Sequence, residues 1–222
     1  MIAESKRYKE KGYGAFIAVI LSATYIYAWP ILAKDYWAMC LTFVESNGYN
    51  LSHFYIVHTV MLNWLVLLVV HLFFALVYHL EWDCFERYKV LEDPWPWQSM
   101  KRDEWIAYLK KTIKVNLINN MIMGPIAFGI YLITPVEQAF DISRDGLPSR
   151  YVFALQIYFC MIFEDLGFHF FHRMLHHPSI YPHIHKIHHE YKVSIAIASQ
   201  YMHPLEFLLL IAPAGFGPMI LG

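Results

Sequence analysis

The chain of 222 residues is apolar and nearly neutral, because 58% of its residues are hydrophobic, 18% are aromatic and its formal net charge is −1. A soluble domain has about 45–50% apolar residues even with glycine counted. The composition therefore excludes an ordinary soluble fold, and the near-zero charge argues against a nucleic-acid partner.

Four apolar segments predict membrane-spanning helices and an all-α fold; in chain order they are residues 13–33, 53–80, 115–136 and 151–171. The second has no Asp, Glu, Lys or Arg and is longer than the roughly 20 residues that a helix needs to cross a bilayer. A fifth apolar stretch, from residue 193 to the end, contains Pro204, Pro213 and Pro218. Because proline interrupts helical hydrogen bonding, this stretch is predicted to be broken, as a kinked or re-entrant segment.

Lysine and arginine are concentrated in the N-terminal arm and in the loop after the second span. By the positive-inside rule, both segments should be cytosolic. Residues 34–52 and 137–150 are poorer in lysine and arginine and should lie on the opposite side. The alternation predicts that the segment after the fourth span faces the cytosol.

Histidines are concentrated in that segment, since nine of the 13 lie between His169 and His203. Two groups have the spacing of three or four residues that brings side chains together on a helix. They are His172 with His176, and His185 with His188 and His189. Neutral imidazole suits iron, zinc, copper and nickel rather than calcium or magnesium. The pattern predicts a metal site, and the absence of H-E-x-x-H argues against a zinc protease.

Acidic residues flank these histidines and have two interpretations. Glu164 and Asp165 lie late in an apolar segment, where carboxylates are costly and usually face the protein interior. They could orient a metal ligand by accepting its second N–H, or simply form an ion pair with a nearby arginine. Glu190 and Glu206 have the same two interpretations, and His169 is a candidate for either a site role or a packing role.

Another group of histidines raises a different class of function. His53, His58, His71 and His79 lie in the second apolar segment, and paired intramembrane histidines can hold haem axially. Their separations of five, thirteen and eight residues place no pair four apart on one helix face. The spacing therefore favours the metal site in the C-terminal half over a haem carrier.

One stretch resembles the histidine-box core of the fatty acid hydroxylase/sterol desaturase superfamily, and most closely the C4-methylsterol monooxygenases. It reads EDLGFHFFHRMLHHPSIYPHIHKIHHEYKVSIAIASQYMHPLE and covers residues 164–206. The resemblance lies in an acidic pair, then H-R-x-x-H-H, then H-K-x-H-H-E, then small residues leading to Y-x-H-P-x-E.

The resemblance implies an enzyme of the endoplasmic reticulum with a non-haem di-iron centre that activates O2 at the cytosolic membrane face. Electrons would arrive from NAD(P)H through a reductase and cytochrome b5. A lipid C–H bond would be hydroxylated, and the resemblance to C4-methylsterol monooxygenases implies that this bond lies in the C4-methyl group of a sterol. The implied iron ligands are the histidines of the two boxes: His172, His176, His185, His188 and His189. His203 is a further candidate ligand.

The superfamily also carries a third box, H-x-x-H-H, after further membrane helices, and none occurs before Gly222. The chain is therefore expected to be truncated. It should have membrane helices and a basic cytosolic loop in residues 1–114, and a di-iron domain, incomplete at its C-terminus, in residues 115–222. Two alternatives stay open: a fatty-acid or sphingolipid hydroxylase of the same superfamily, and a catalytically inactive, truncated regulator.

Overall fold

The computed structural model describes residues 2–81, 93–133 and 148–221, together with the isolated positions 85, 89, 143 and 146. Helices make up nearly all of this part of the chain, and it contains no β-strand. The predicted all-α class is therefore confirmed. The helices are α1 (Ile2–Asn47), α2 (Leu51–Leu80), α3 (Pro96–Ser99), α4 (Arg102–Ile133), α5 (Arg150–Leu175) and α6 (Pro204–Leu221), with 3-10 segments at His185–Glu190 and Ala196–Gln200.

Four of these helices are long and apolar enough to cross a membrane: the Phe16–Asn47 part of α1, and all of α2, α5 and α6. By length and composition the chain is a multi-pass membrane protein. The predicted span at residues 115–136 starts inside α4 but continues past Ile133 into residues outside the described part. That span stays a prediction.

The predicted break of the C-terminal stretch is confirmed at Pro204, because the 3-10 segment Ala196–Gln200 ends before it and the separate helix α6 begins there. No break occurs at the two later prolines, since residues 204–221 form a single helix. Pro204 stands at the first position, where no helical partner awaits its missing N–H. Pro213 and Pro218 lie inside the helix. Prolines are tolerated within apolar helices that pack against a neighbour, and here that neighbour is α5.

Glycine permits close approach of α5 and α6. A Cβ atom placed on Gly167 would lie 2.6 Å from Cβ of Pro213, and one placed on Gly217 would lie 2.7 Å from Cα of Cys160. Real Cβ atoms essentially never approach other atoms so closely, so the two crossings require glycine. The two crossings thereby hold together the helices that precede and follow the segment with His185 and His189.

A polar stripe on α4 anchors the irregular segment between the first 3-10 segment and α6. The Asn116 side chain donates to the Ile197 carbonyl at 2.7 Å. The buried Asn119 amide donates to the carbonyls of Gln200 and Met202, each at 3.0 Å. These bonds fix the chain immediately before α6, and so they fix where α6 begins.

Candidate metal centre

Four imidazoles converge at the end of α5. They belong to His172, His176, His185 and His189, and their ligand atoms all lie within 4.8 Å of one another. We call this group the four-histidine cluster. Nε2 of His185 lies 3.1 Å from Nε2 of His176 and 2.9 Å from Nε2 of His189.

The local sequence explains how the chain brings these histidines together. His172 is in the last turn of α5 and His176 is its C-cap, so the two side chains, four residues apart, share one face of the helix. Pro178 cannot continue the helix because it lacks an N–H. The chain instead turns back, with the His177 carbonyl accepting from the N–H groups of Ile180 and Tyr181, each at 2.9 Å. This reversal returns the first 3-10 segment to the end of α5.

A buried carboxylate lies behind the cluster. Oε1 of Glu206, in the first turn of α6, is 2.7 Å from Nδ1 of His185, and both side chains are 0% exposed. Burial lowers the pKa of His185, and the imidazoles of His189 and His172 lower it further, so the ring is neutral at physiological pH. In the tautomer that carries its proton on Nδ1, His185 donates to Oε1 of Glu206 and directs the lone pair of Nε2 into the cluster. This is the usual arrangement of a metal-binding histidine.

The cluster leaves nitrogen lone pairs that one bound cation would satisfy together. Nε2 of His172 is buried and has no hydrogen-bond partner in the described part of the chain. Nε2 of His185 faces two other imidazole nitrogens and can share a proton with only one of them at a time. The donor set is entirely imidazole, which fits iron, zinc, copper or nickel.

Two predicted ligands lie outside the four-histidine cluster. A 3-10 segment has three residues per turn, so the His188 ring stacks over that of His185, with centroids 5.7 Å apart, and does not point beside it. Its Nδ1 lies 3.3 Å from the Tyr201 carbonyl. Nδ1 of His203 accepts from the Leu205 N–H at 3.1 Å. Neither belongs to the group whose ligand atoms converge.

The predicted orienting residues are placed in two different ways. Glu164, Asp165 and His169 are exposed on α5, and none belongs to the four-histidine cluster. Glu206 has the orienting contact that the sequence left open between two interpretations. For Glu190, the ion-pair interpretation applies, since its Oε2 accepts from Nζ of Lys111 at 2.8 Å.

Glu190 also takes part in a network of tyrosines that the sequence analysis missed. The hydroxyl of Tyr201, a fully buried residue, donates to Oε2 of Glu190 at 2.5 Å. Burial alone would raise the pKa of Glu190, but the hydrogen bonds from Lys111 and Tyr201 outweigh it and lower that pKa. Tyr191 stacks on Tyr108 with centroids 4.5 Å apart. The network joins α4 to the residue that follows His189.

The C-terminal part of the chain matches a known protein family. Residues 157–222 match the family model described as fatty acid hydroxylase. The resemblance to the fatty acid hydroxylase/sterol desaturase superfamily is confirmed. The matched region spans most of α5, the four-histidine cluster and α6.

Curated relatives include proteins named as fatty acid hydroxylases and as methylsterol monooxygenases. Fatty acid hydroxylase ahd1 of Mycosarcoma maydis is 42% identical over 46% of this chain and 26% of its own length. Methylsterol monooxygenase 1 of Gallus gallus is 35% identical over 59% and 41%. Fatty acid hydroxylase domain-containing protein 2 of Macaca fascicularis is 34% identical over 51% and 34%. The chain spans less than half the length of each of these relatives, and no solved structure matches it significantly.

Proposed function

We propose that the chain forms the iron-binding part of a membrane-bound monooxygenase that hydroxylates a C–H bond of a lipid. The observation that carries the proposal is the convergence of four imidazoles backed by a buried carboxylate. Relatives named as methylsterol monooxygenases and fatty acid hydroxylases support an oxidoreductase acting on lipids. Four apolar helices support a lipid substrate taken from the membrane.

Each residue of the centre has a distinct role in this proposal. The four histidines hold the metal, and Glu206 keeps the proton of His185 on Nδ1 so that Nε2 stays free to bind. The complete burial of His185 and Glu206 keeps water away from that side of the centre. Iron bound there would supply the oxygen-activating redox chemistry that C–H hydroxylation requires.

The number of irons is part of the proposal. Four imidazoles suffice for one ion, whereas the di-iron centre implied by the resemblance requires further ligands. His188 and His203 are the candidates for these in this chain, and each is now held by a hydrogen bond involving the backbone. A location in the endoplasmic reticulum, with the centre facing the cytosol and electrons from NAD(P)H through cytochrome b5, completes the proposal.

The metal content of the purified full chain tests the centre directly. We expect iron to co-purify with the wild-type protein and to be lost from the His185→Ala/His189→Ala double variant. His183→Ala is the matched control, because His183 is exposed, lies in the same loop and is outside the cluster. A wild-type protein that takes up no iron during expression or reconstitution would contradict the proposal.

The substrate needs a separate experiment. The C4-methyl group of a sterol is the first candidate, because several relatives are named as methylsterol monooxygenases. A fatty-acid or sphingolipid hydroxylase is the second, because the first relative reported above is a fatty acid hydroxylase. Membranes containing the protein are supplied with 4,4-dimethylsterol and a ceramide side by side. Oxygenated sterol would support the first candidate, and hydroxylated ceramide the second.

A further inference from the structure

Two adjacent cavities run along the junction between α2 and α4, beneath the second 3-10 segment. Each has a volume of about 360 Å³. They share His71, Ile113 and Ile197 and so form one continuous groove, which we call the α2–α4 groove. Small-molecule sites commonly have volumes of about 300–1,000 Å³. No residue that lines the groove belongs to the four-histidine cluster.

One of the two cavities, which we call the polar cavity, is lined by four side chains with an unpaired polar atom. The atoms are Nε1 of Trp64, Nε2 of His71, Oδ1 of Asn116 and Oδ1 of Asn120. All four are buried and lack a hydrogen-bond partner in the described part of the chain. Buried polar atoms in proteins are almost always paired. Four unpaired atoms around one cavity therefore point to a ligand that pairs with them.

The neighbouring hydrogen bonds fix which of these atoms donate. Nδ1 of His71 lies 2.6 Å from the Leu67 carbonyl, which can only accept, so Nε2 of the neutral ring is an acceptor. The amide nitrogens of Asn116 and Asn120 donate to oxygens of the second 3-10 segment at 2.7 Å, which leaves their oxygens as acceptors. Nε1 of Trp64 can only donate. The polar cavity thus offers three acceptors and one donor.

This set of atoms selects the chemical class of the ligand. A hydroxyl group donates one hydrogen bond and accepts others, so it can use both kinds of atom. The described residues lining the polar cavity include no Asp, Glu, Lys or Arg, so an ionised head group would be buried without a counter-charge. A hydrocarbon or an ether could not donate to the acceptors. We propose that the α2–α4 groove binds a lipid alcohol, with its neutral hydroxyl between Trp64, His71 and the two asparagines.

The position of the polar cavity beside the middle of α2 fits a ligand that comes from the bilayer. Trp64, Leu67, Leu68 and His71 recur at the spacing of one helix face and all line the polar cavity. They lie in the middle of the apolar span Leu51–Leu80, where water is scarce. The remaining walls are mainly aliphatic and would contact the hydrocarbon part of the lipid. This inference goes beyond the proposed oxidation, because binding here requires no metal and no turnover.

Photolabelling of the full chain in lipid nanodiscs tests the proposal. The probes are a diazirine-bearing cholesterol and a diazirine-bearing hexadecanol, each with a free hydroxyl. We expect at least one probe to label the facing parts of α2 and α4, and the matching unlabelled alcohol to compete. Which probe labels identifies a sterol or a long-chain alcohol as the ligand. The corresponding methyl ether should compete at least tenfold less well. An ether that competes equally, or absence of label from both helices, would overturn the proposal.

Substitutions provide a second and independent measurement. Trp64→Phe removes the donor and His71→Leu removes an acceptor. Each replaces the polar side chain with an apolar one of similar size. We expect each to reduce labelling at least threefold. Trp29→Phe is the matched control, because Trp29 is exposed on α1 and does not line the groove. Wild-type labelling in both groove variants would overturn the proposal. Iron content is measured in the same samples, so a failure of this site and a failure of the metal centre are seen separately.

Discussion

Histidines occupy two regions of this molecule, and their surroundings differ. In α2, His58 contacts the hydroxyl of Tyr36 at 2.5 Å, and His71 bonds to a carbonyl of its own helix. At the end of α5, the imidazoles contact one another, and the buried Glu206 holds the ring of His185. The comparison teaches that the number of histidines does not define a metal site. Convergence of nitrogen atoms beside a buried carboxyl group is what makes the end of α5 the candidate centre.

The largest expected effect is at Glu206. Glu206→Ala leaves Nδ1 of His185 unpaired in a place where both side chains are 0% exposed. Removing one partner of such a buried pair costs about 3–5 kcal/mol, and losing the carboxylate behind a metal-binding histidine weakens metal affinity about 10–100-fold. We expect a marked fall in melting temperature in detergent and a loss of bound iron.

Tyr36→Phe provides the corresponding change in the α2 region, because it removes the hydroxyl that contacts His58. We expect a loss of about 1 kcal/mol or less, typical of one hydrogen bond, and unchanged iron content. If the two variants lost stability and iron equally, the distinction between the two regions would be wrong.

The next largest effect concerns the helix crossing that supports the cluster. In Gly217→Ala, the new Cβ would lie 2.7 Å from the backbone of Cys160. Such overpacking typically costs about 1–3 kcal/mol, and moving α6 away from α5 would also weaken iron binding. Melting temperature and iron content are the measurements.

Gly215→Ala is the matched control for this crossing. A Cβ at Gly215 meets no atom within 4 Å. Alanine is more favourable than glycine inside a helix by about 0.5–1 kcal/mol, so this variant should be unchanged or slightly more stable. Destabilisation by both alanines to the same extent would mean that helix propensity, and not close approach, controls stability here.

The asparagines of α4 should matter for the four-histidine cluster, although they do not belong to it. Asn119→Ala removes the bonds to the Gln200 and Met202 carbonyls and leaves both without that donor. We expect a loss of about 1–3 kcal/mol, measured by thermal unfolding. Asn47→Ala, an exposed asparagine at the end of α1, should change stability little. A wild-type melting temperature for Asn119→Ala would show that the segment before α6 is held by other contacts.

The smallest effect is a pH dependence at Glu190. Its pKa is lowered in the folded protein, so its contribution to stability is present above the unfolded pKa and is lost as pH falls through the folded pKa. The side chain is 40% exposed, so solvent screening limits the contribution to about 1 kcal/mol or less. We expect the difference in melting temperature between wild type and Glu190→Gln to shrink as pH falls from 7 to 4. A difference that grows on acidification would contradict this sign.

Much of the fold could be predicted from the sequence because the signals are local. The run without charge at residues 53–80 lies wholly within α2, and the spacing of His172 and His176 places both at the end of α5. The continuity of α6 could not be predicted from its prolines. It depends on packing against α5, with Gly167 and Gly217 at the crossings.

The centre was predictable in composition but not in detail. An α-helical period predicts that His188 joins His185 and His189, whereas the 3-10 turn stacks the ring of His188 over that of His185 instead. The partnership of Lys111 with Glu190 joins residues 79 positions apart, and no local pattern indicates it. The buried polar stripe of Thr112, Asn116 and Asn119 on α4 did leave a helical-period signal in the sequence.

The contacts within the centre are short-range along the chain, which has a consequence for folding order. His176 meets His185 across nine residues, and His185 meets Glu206 across 21, whereas Lys111 meets Glu190 across 79. Each doubling of loop length adds about 0.6 kcal/mol of closure entropy, so the longest of these contacts costs roughly 2 kcal/mol more to close than the shortest. The ring of imidazoles can therefore assemble as soon as α5 and α6 are synthesised and inserted, and the docking of α4 then fixes the segment between the imidazoles and α6.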